Sequence, residues 1–226
     1  MQQAILLGPF VIRSSDIFLI ISLAIGLVFF LLTTTLSKAL RRVYLYLFVD
    51  LISFFILILI AAKALLHIEL FLSDPLAVLA HPSNANGFYL ATLISGLYAY
   101  RKIRVDLFSF DLVIEGFIRL FFSANFVYLF SLLILLDREV SIYQLTFHFV
   151  TLLIIIFYQD RNYYHILNPL IVGTWGLGHV VLSLSSQVQL FGFYLSYQYY
   201  FIIGIIGFLH LYNAYKSRSK EKILKG

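Results

Sequence analysis

Seven stretches of this 226-residue chain are apolar for long enough to cross a lipid bilayer, and little of any length lies between them. A hydrocarbon core of about 30 Å takes about 20 helical residues to cross. In that medium every backbone N–H and C=O must be paired within the protein, so only helices and closed barrels serve. The runs here are continuous rather than alternating, which excludes barrel strands. The spans are expected near 15–36, 44–68, 86–100, 107–136, 141–159, 165–186 and 191–213. The third is short and predicts a re-entrant start after the loop "SDPLAVLAHPSNANG". The fourth is long and predicts a break or a strong tilt. The fold class is therefore all-α: a polytopic membrane protein forming a single transmembrane domain over residues 1–226. No soluble domain fits between the spans, and no internal repeat is visible.

Composition agrees. Hydrophobic residues make up 62% and charged residues 12%, against about 45–50% and about 25% in soluble domains. The 23 Phe and 16 Tyr supply rings suited to the membrane interfaces. With no cysteine, disulfides, thiolate chemistry and cysteine metal sites are excluded. The net charge of +5 comes from residues that mark one side of the membrane, so no nucleic-acid partner is inferred from it. Lys38, Arg41, Arg42, Arg101, Lys102, Arg104, Arg161 and, in the tail, Lys216, Arg218, Lys220, Lys222 and Lys225 fall on one side, and only Arg13 and Arg138 on the other. The positive-inside rule makes the first side cytoplasmic, with the N-terminus outside and the C-terminus inside. The run from Ile17 to Leu32 lacks a basic n-region and an A-x-A site, so it is expected to be retained as a span.

Ionisable groups within spans cost roughly 2.5–3.5 kcal/mol each on insertion scales. Asp111, Glu115 and Arg119 are spaced by four in the fourth span and share a helix face. Arg119 is expected roughly mid-membrane. Two readings stay open: a Glu115–Arg119 pair that neutralises itself inside the bundle, or a cavity in which Arg119 receives an anionic headgroup. Lys63 and His67 read as interface anchors. His148, His165, His179 and His210 are scattered one per segment and form no metal-binding spacing, so neither metal nor cofactor is inferred. His179 follows "VGTWGLGH", whose small residues allow close helix packing.

Several segments together resemble the bacterial prolipoprotein diacylglyceryl transferases. "LGPFVIR" resembles that family's opening before its first span. "SDPLAVLAHPSNANGFYLATLISG" is similar to its loop into the third. "RVDLFSFDLVIEG" is similar to its link into the fourth, with Asp111 at the family's aspartate. "VSIYQLTFHFV" resembles the start of its fifth span, and "LSYQYYFIIGIIG" its Ser-x-x-Gln lead-in to the last. The resemblance runs over essentially the whole chain. It implies seven spans, a bacterial inner-membrane location and a reaction. The diacylglyceryl group of phosphatidylglycerol passes to the thiol of a lipobox cysteine in a prolipoprotein signal peptide.

The resemblance also implies roles. Arg13 and Arg119 become candidate phosphate binders, with Asp111, Glu115 and Asn125 in the substrate-binding set, and His179 the candidate catalytic base. Departures accompany it. Ser14, Ser15 and Asp16 follow Arg13 where the family has Trp-Tyr-Gly, and no histidine opens the third span. The family's fourth-span arginine falls on Asn125, or on Arg119 after a six-residue deletion. His179 and Ser183 stand where the sixth span of the family has an arginine and a glutamate. A non-catalytic lipid-binding or scaffold paralogue is the alternative.

Overall fold

The computed structural model describes residues 4–7, 10–75, 78, 84–158 and 164–225. Strands β1 (Ala4–Leu7) and β2 (Phe10–Arg13) pair antiparallel, Ala4 opposite Arg13, and lead directly into α1 (Ser14–Thr33). Then come α2 (Lys38–Leu66), the short α3 (Ile68–Ser73), α4 (Ala85–Val105), α5 (Phe110–Leu135), α6 (Ile142–Phe157) and α7 (Tyr164–Ser185). A second hairpin, β3 (Gln189–Leu190) with β4 (Phe193–Tyr194), precedes α8 (Tyr197–Lys225).

The chain is an all-α membrane protein apart from these two small hairpins. Among the described residues, four helices are long and apolar enough to cross a membrane: α1, α2, α5 and residues 165–185 of α7; α6 is a shorter apolar helix. The surface has the matching polarity. Ile20, Val28, Leu32, Leu57, Leu93, Leu97 and Val181 are exposed, whereas Arg119, Asn125, Gln144, His148 and His179 are buried. A water-soluble protein does not expose so much aliphatic surface.

Helix α5 lies at the centre, packed on α1, α6 and α7. It is continuous over 26 residues, so of the break or strong tilt expected in the fourth span, the break is absent. Its charged residues find lateral partners, and nothing forces the backbone to open. Other boundaries also move. Helix α4 runs on to Val105 and carries Lys102 and Arg104 in its last turn. Residues 191–196, expected to be helical, belong to the second hairpin and its exit. Much of the loop before the third span, at 76–77 and 79–83, lies outside the described residues; the start of that span, expected to be re-entrant, is regular helix from Ala85.

Small residues set the closest contacts. A Cβ on Gly26 of α1 would lie 2.8 Å from the Leu120 carbonyl oxygen and 2.9 Å from Ala124 Cβ of α5. Helices α7 and α8 meet glycine on glycine, Gly176 against Gly204 and Gly173 against Gly207, with backbones too close to admit a Cβ. This is the close packing that the glycines of "VGTWGLGH" predict. The β3–β4 turn needs glycine for another reason: Phe191 and Gly192 have φ of +48° and +85°, the left-handed pair of a tight hairpin turn.

Candidate functional site

The inner polar group grows from the first turns of α5. Asp111 accepts from His165 Nδ1 of α7 at 2.9 Å, and its other oxygen is 3.9 Å from His210 Nε2 of α8. One turn on, Glu115 accepts from Arg119 Nη2 at 2.5 Å, with both side chains largely buried. Arg119 Nη1 donates to the Thr33 carbonyl at 2.8 Å. Thr33 is the last residue of α1, where carbonyls lack helical partners and the helix dipole is negative, so a cation is doubly favoured. Arg41 Nη2 donates to the Thr34 carbonyl nearby, at 3.2 Å. Arg119 therefore sits level with the C-terminal end of α1. The cavity beside it, between α5, α6 and α7, measures about 20 Å³, room for about one water.

The outer polar group is wholly buried. Asn125 of α5 donates through Nδ2 to His148 Nε2 of α6 at 2.8 Å, and Trp175 Nε1 approaches the same nitrogen at 3.4 Å. His148 Nδ1 donates to the Gln144 carbonyl at 2.8 Å, and His179 Nδ1 donates to the Trp175 carbonyl at 2.9 Å. These backbone acceptors fix both imidazoles as Nδ1–H tautomers, leaving each Nε2 an acceptor. Gln144 Nε2 approaches His179 Nε2 at 3.5 Å and donates to the Gln189 carbonyl at 2.6 Å, while its Oε1 accepts from Gln189 N–H at 3.3 Å. Asn125 Oδ1 accepts from Phe191 N–H at 3.4 Å. Both amides thus have partners on their oxygen and their nitrogen, and together they dock the β3–β4 hairpin onto the bundle. The T-shaped pair of His148 and His179, 5.2 Å between centroids, stacks beside Trp175 and Tyr200.

The candidate residues therefore fall into three places. Arg13 ends β2 and is the N-cap residue of α1; its charge and that of Asp16 are felt at Lys63 of α2. Arg119 holds the opposite end of the same 20-residue helix, about 30 Å away at about 1.5 Å per residue. The two proposed phosphate binders do not converge on one phosphate. Asn125 and His179 do come together, through His148 and Gln144, but six residues beyond Arg119 and behind the apolar layer of Ile118, Phe122, Ile171 and Trp175. His179 is fully buried with both ring nitrogens engaged, so it reaches no substrate space in this conformation.

Gln144, Trp175 and Gln189 were not among the residues the sequence singled out, and His148 figured there only as one of the scattered histidines. Their available signal is spacing. Gln144 and His148 are four apart on one helix, and Trp175 and His179 four apart on another, so each pair shares a face. No family model, curated protein or solved structure matches this chain.

Proposed function

We propose that this chain is an integral protein of the bacterial inner membrane on the plan of the prolipoprotein diacylglyceryl transferases, with seven spans, N-terminus outside and C-terminus cytoplasmic. It keeps that fold as a non-catalytic, lipid-embedded scaffold. The observation that carries this reading is the separation of the candidate chemistry. Transfer requires a cation on the departing phosphate and a base or cation that favours the thiolate, both at one reacting centre. Here Arg13 and Arg119 lie at opposite ends of α1, and His179 is enclosed. Glu115 already neutralises Arg119.

The second reading is an active transferase. Two features favour it: the order of the resembling segments along the whole chain, and a second cation, Lys63, within electrostatic reach of Arg13. In that reaction the cysteine sulfur attacks the glycerol carbon esterified to phosphate. The C–O bond breaks, glycerol-1-phosphate leaves, and the thiol proton passes to a base. Purified protein in phosphatidylglycerol vesicles with a lipobox peptide decides between the two. Beside a full-motif family member as positive control, this chain is expected to yield no thioether-linked diacylglyceryl peptide. Product that grows with the amount of this chain would overturn the scaffold reading.

A further inference from the structure

The small cavity between α5, α6 and α7 is walled by Glu115, Ile118 and Arg119, by Ile155, and by Asn168 and Ile171. Two of these residues carry donors without acceptors. Arg119 Nε and Asn168 Nδ2 are buried and make no hydrogen bond, in residues only 3% and 7% exposed. Native proteins seldom leave such groups unpaired, because each forfeits the hydrogen bonds it had in water. Here the two residues that carry them, on different helices, line the same cavity.

We propose that this cavity is a binding site for one water molecule. The water accepts from Arg119 Nε–H and from the Asn168 amide and donates to the Glu115 carboxylate. Three features select the guest. Volume is the first: about 20 Å³ admits a water, which needs roughly 10–15 Å³ by the same measure, and excludes a lipid phosphate. Charge is the second. Glu115 cancels the charge of Arg119, so an anion would meet a carboxylate with no net positive charge to hold it. The third is donor balance. Water both donates and accepts, so it satisfies the Asn168 amide in either of its two orientations. Arg119 already ties α5 to the end of α1 through Thr33. The water extends that tie to α7, so one guanidinium joins three helices.

Crystals grown from a lipidic mesophase, with sodium bromide in place of chloride, test the site at a resolution that places ordered waters. In the wild-type protein a single peak is expected about 3 Å from both nitrogens, without bromine anomalous signal. In Asn168→Leu the peak is expected to be lost. An empty wild-type cavity, or a peak that persists in Asn168→Leu, refutes the site as described. An anomalous bromide peak refutes water in favour of an anion. Should the leucine variant fail to fold, the wild-type maps alone decide whether the cavity holds water, an anion or nothing. None of these outcomes bears on lipid transfer.

Discussion

At the scale of the residue, local pairing is legible in the sequence and long-range pairing is not. The four-residue spacing of Glu115 and Arg119 sets their ion pair before any tertiary contact is considered. Nothing local announces that Arg119 also caps α1 at Thr33, or that Asp111 takes partners from α7 and α8. Asn125, the Gln144–His148 pair and His179 look unrelated because they lie on three different helices, and which faces meet is decided only by packing. The ion pair makes a sharp prediction. Arg119→Met alone leaves Glu115 buried without its cation, and breaking a buried pair in this way costs about 3–5 kcal/mol. Glu115→Leu together with Arg119→Met removes both charges and is expected to cost much less. Reversible unfolding in bicelles, compared across the two single variants and the double, checks the non-additivity. Equal and additive losses would mean that the charges stabilise through separate contacts.

At the scale of the element, apolar run length places the helices well and their ends poorly. A helix ends where its carbonyls and N–H groups find substitutes, and these are side-chain events such as Asn84 Oδ1 accepting from Gly87 N–H at 2.9 Å. Both hairpins escape a reading based on apolar runs, since their strands are too short to show alternation. The glycines are more informative. Gly176→Ala would drive a methyl group into the backbone at Gly204, and overpacking of this kind costs about 1–3 kcal/mol. Gly96→Ala on α4 meets nothing within 4 Å and exchanges a poor helix former for the best, a gain of about 0.5–1 kcal/mol. Thermal unfolding of the two variants in the same lipid is expected to move in opposite directions. A neutral Gly176→Ala would show that α7 and α8 separate easily.

At the scale of the whole molecule, the paired contacts give the relative direction of several helix pairs. Thr33 meets Arg119 and Gly26 meets Ala124, so α1 and α5 are antiparallel. Asp50 meets Lys102, and Leu66 lies near Gly87, so α2 and α4 are antiparallel. Asn125 meets His148 while Ile118 and Ile155 border one cavity, which runs α6 against α5. The glycine pairs run α8 against α7. Antiparallel pairs of this kind are what an up-and-down arrangement with its basic excess at one end requires. The weakest span is α6. Its 16 residues extend about 24 Å, short of the roughly 30 Å core. A failure of α6 to cross would reverse the side of everything after it. Reporters placed at Asn84, at Arg161 and after Gly226 separate the cases. The expected result is external for Asn84 and cytoplasmic for the other two. An external signal at both Arg161 and Gly226, with Asn84 unchanged, would mean that α6 stays on the outer side and that the chain crosses six times or fewer. A cytoplasmic signal at Asn84 would reverse the orientation itself, and would place Arg13 among the inner cations instead of at the outer rim.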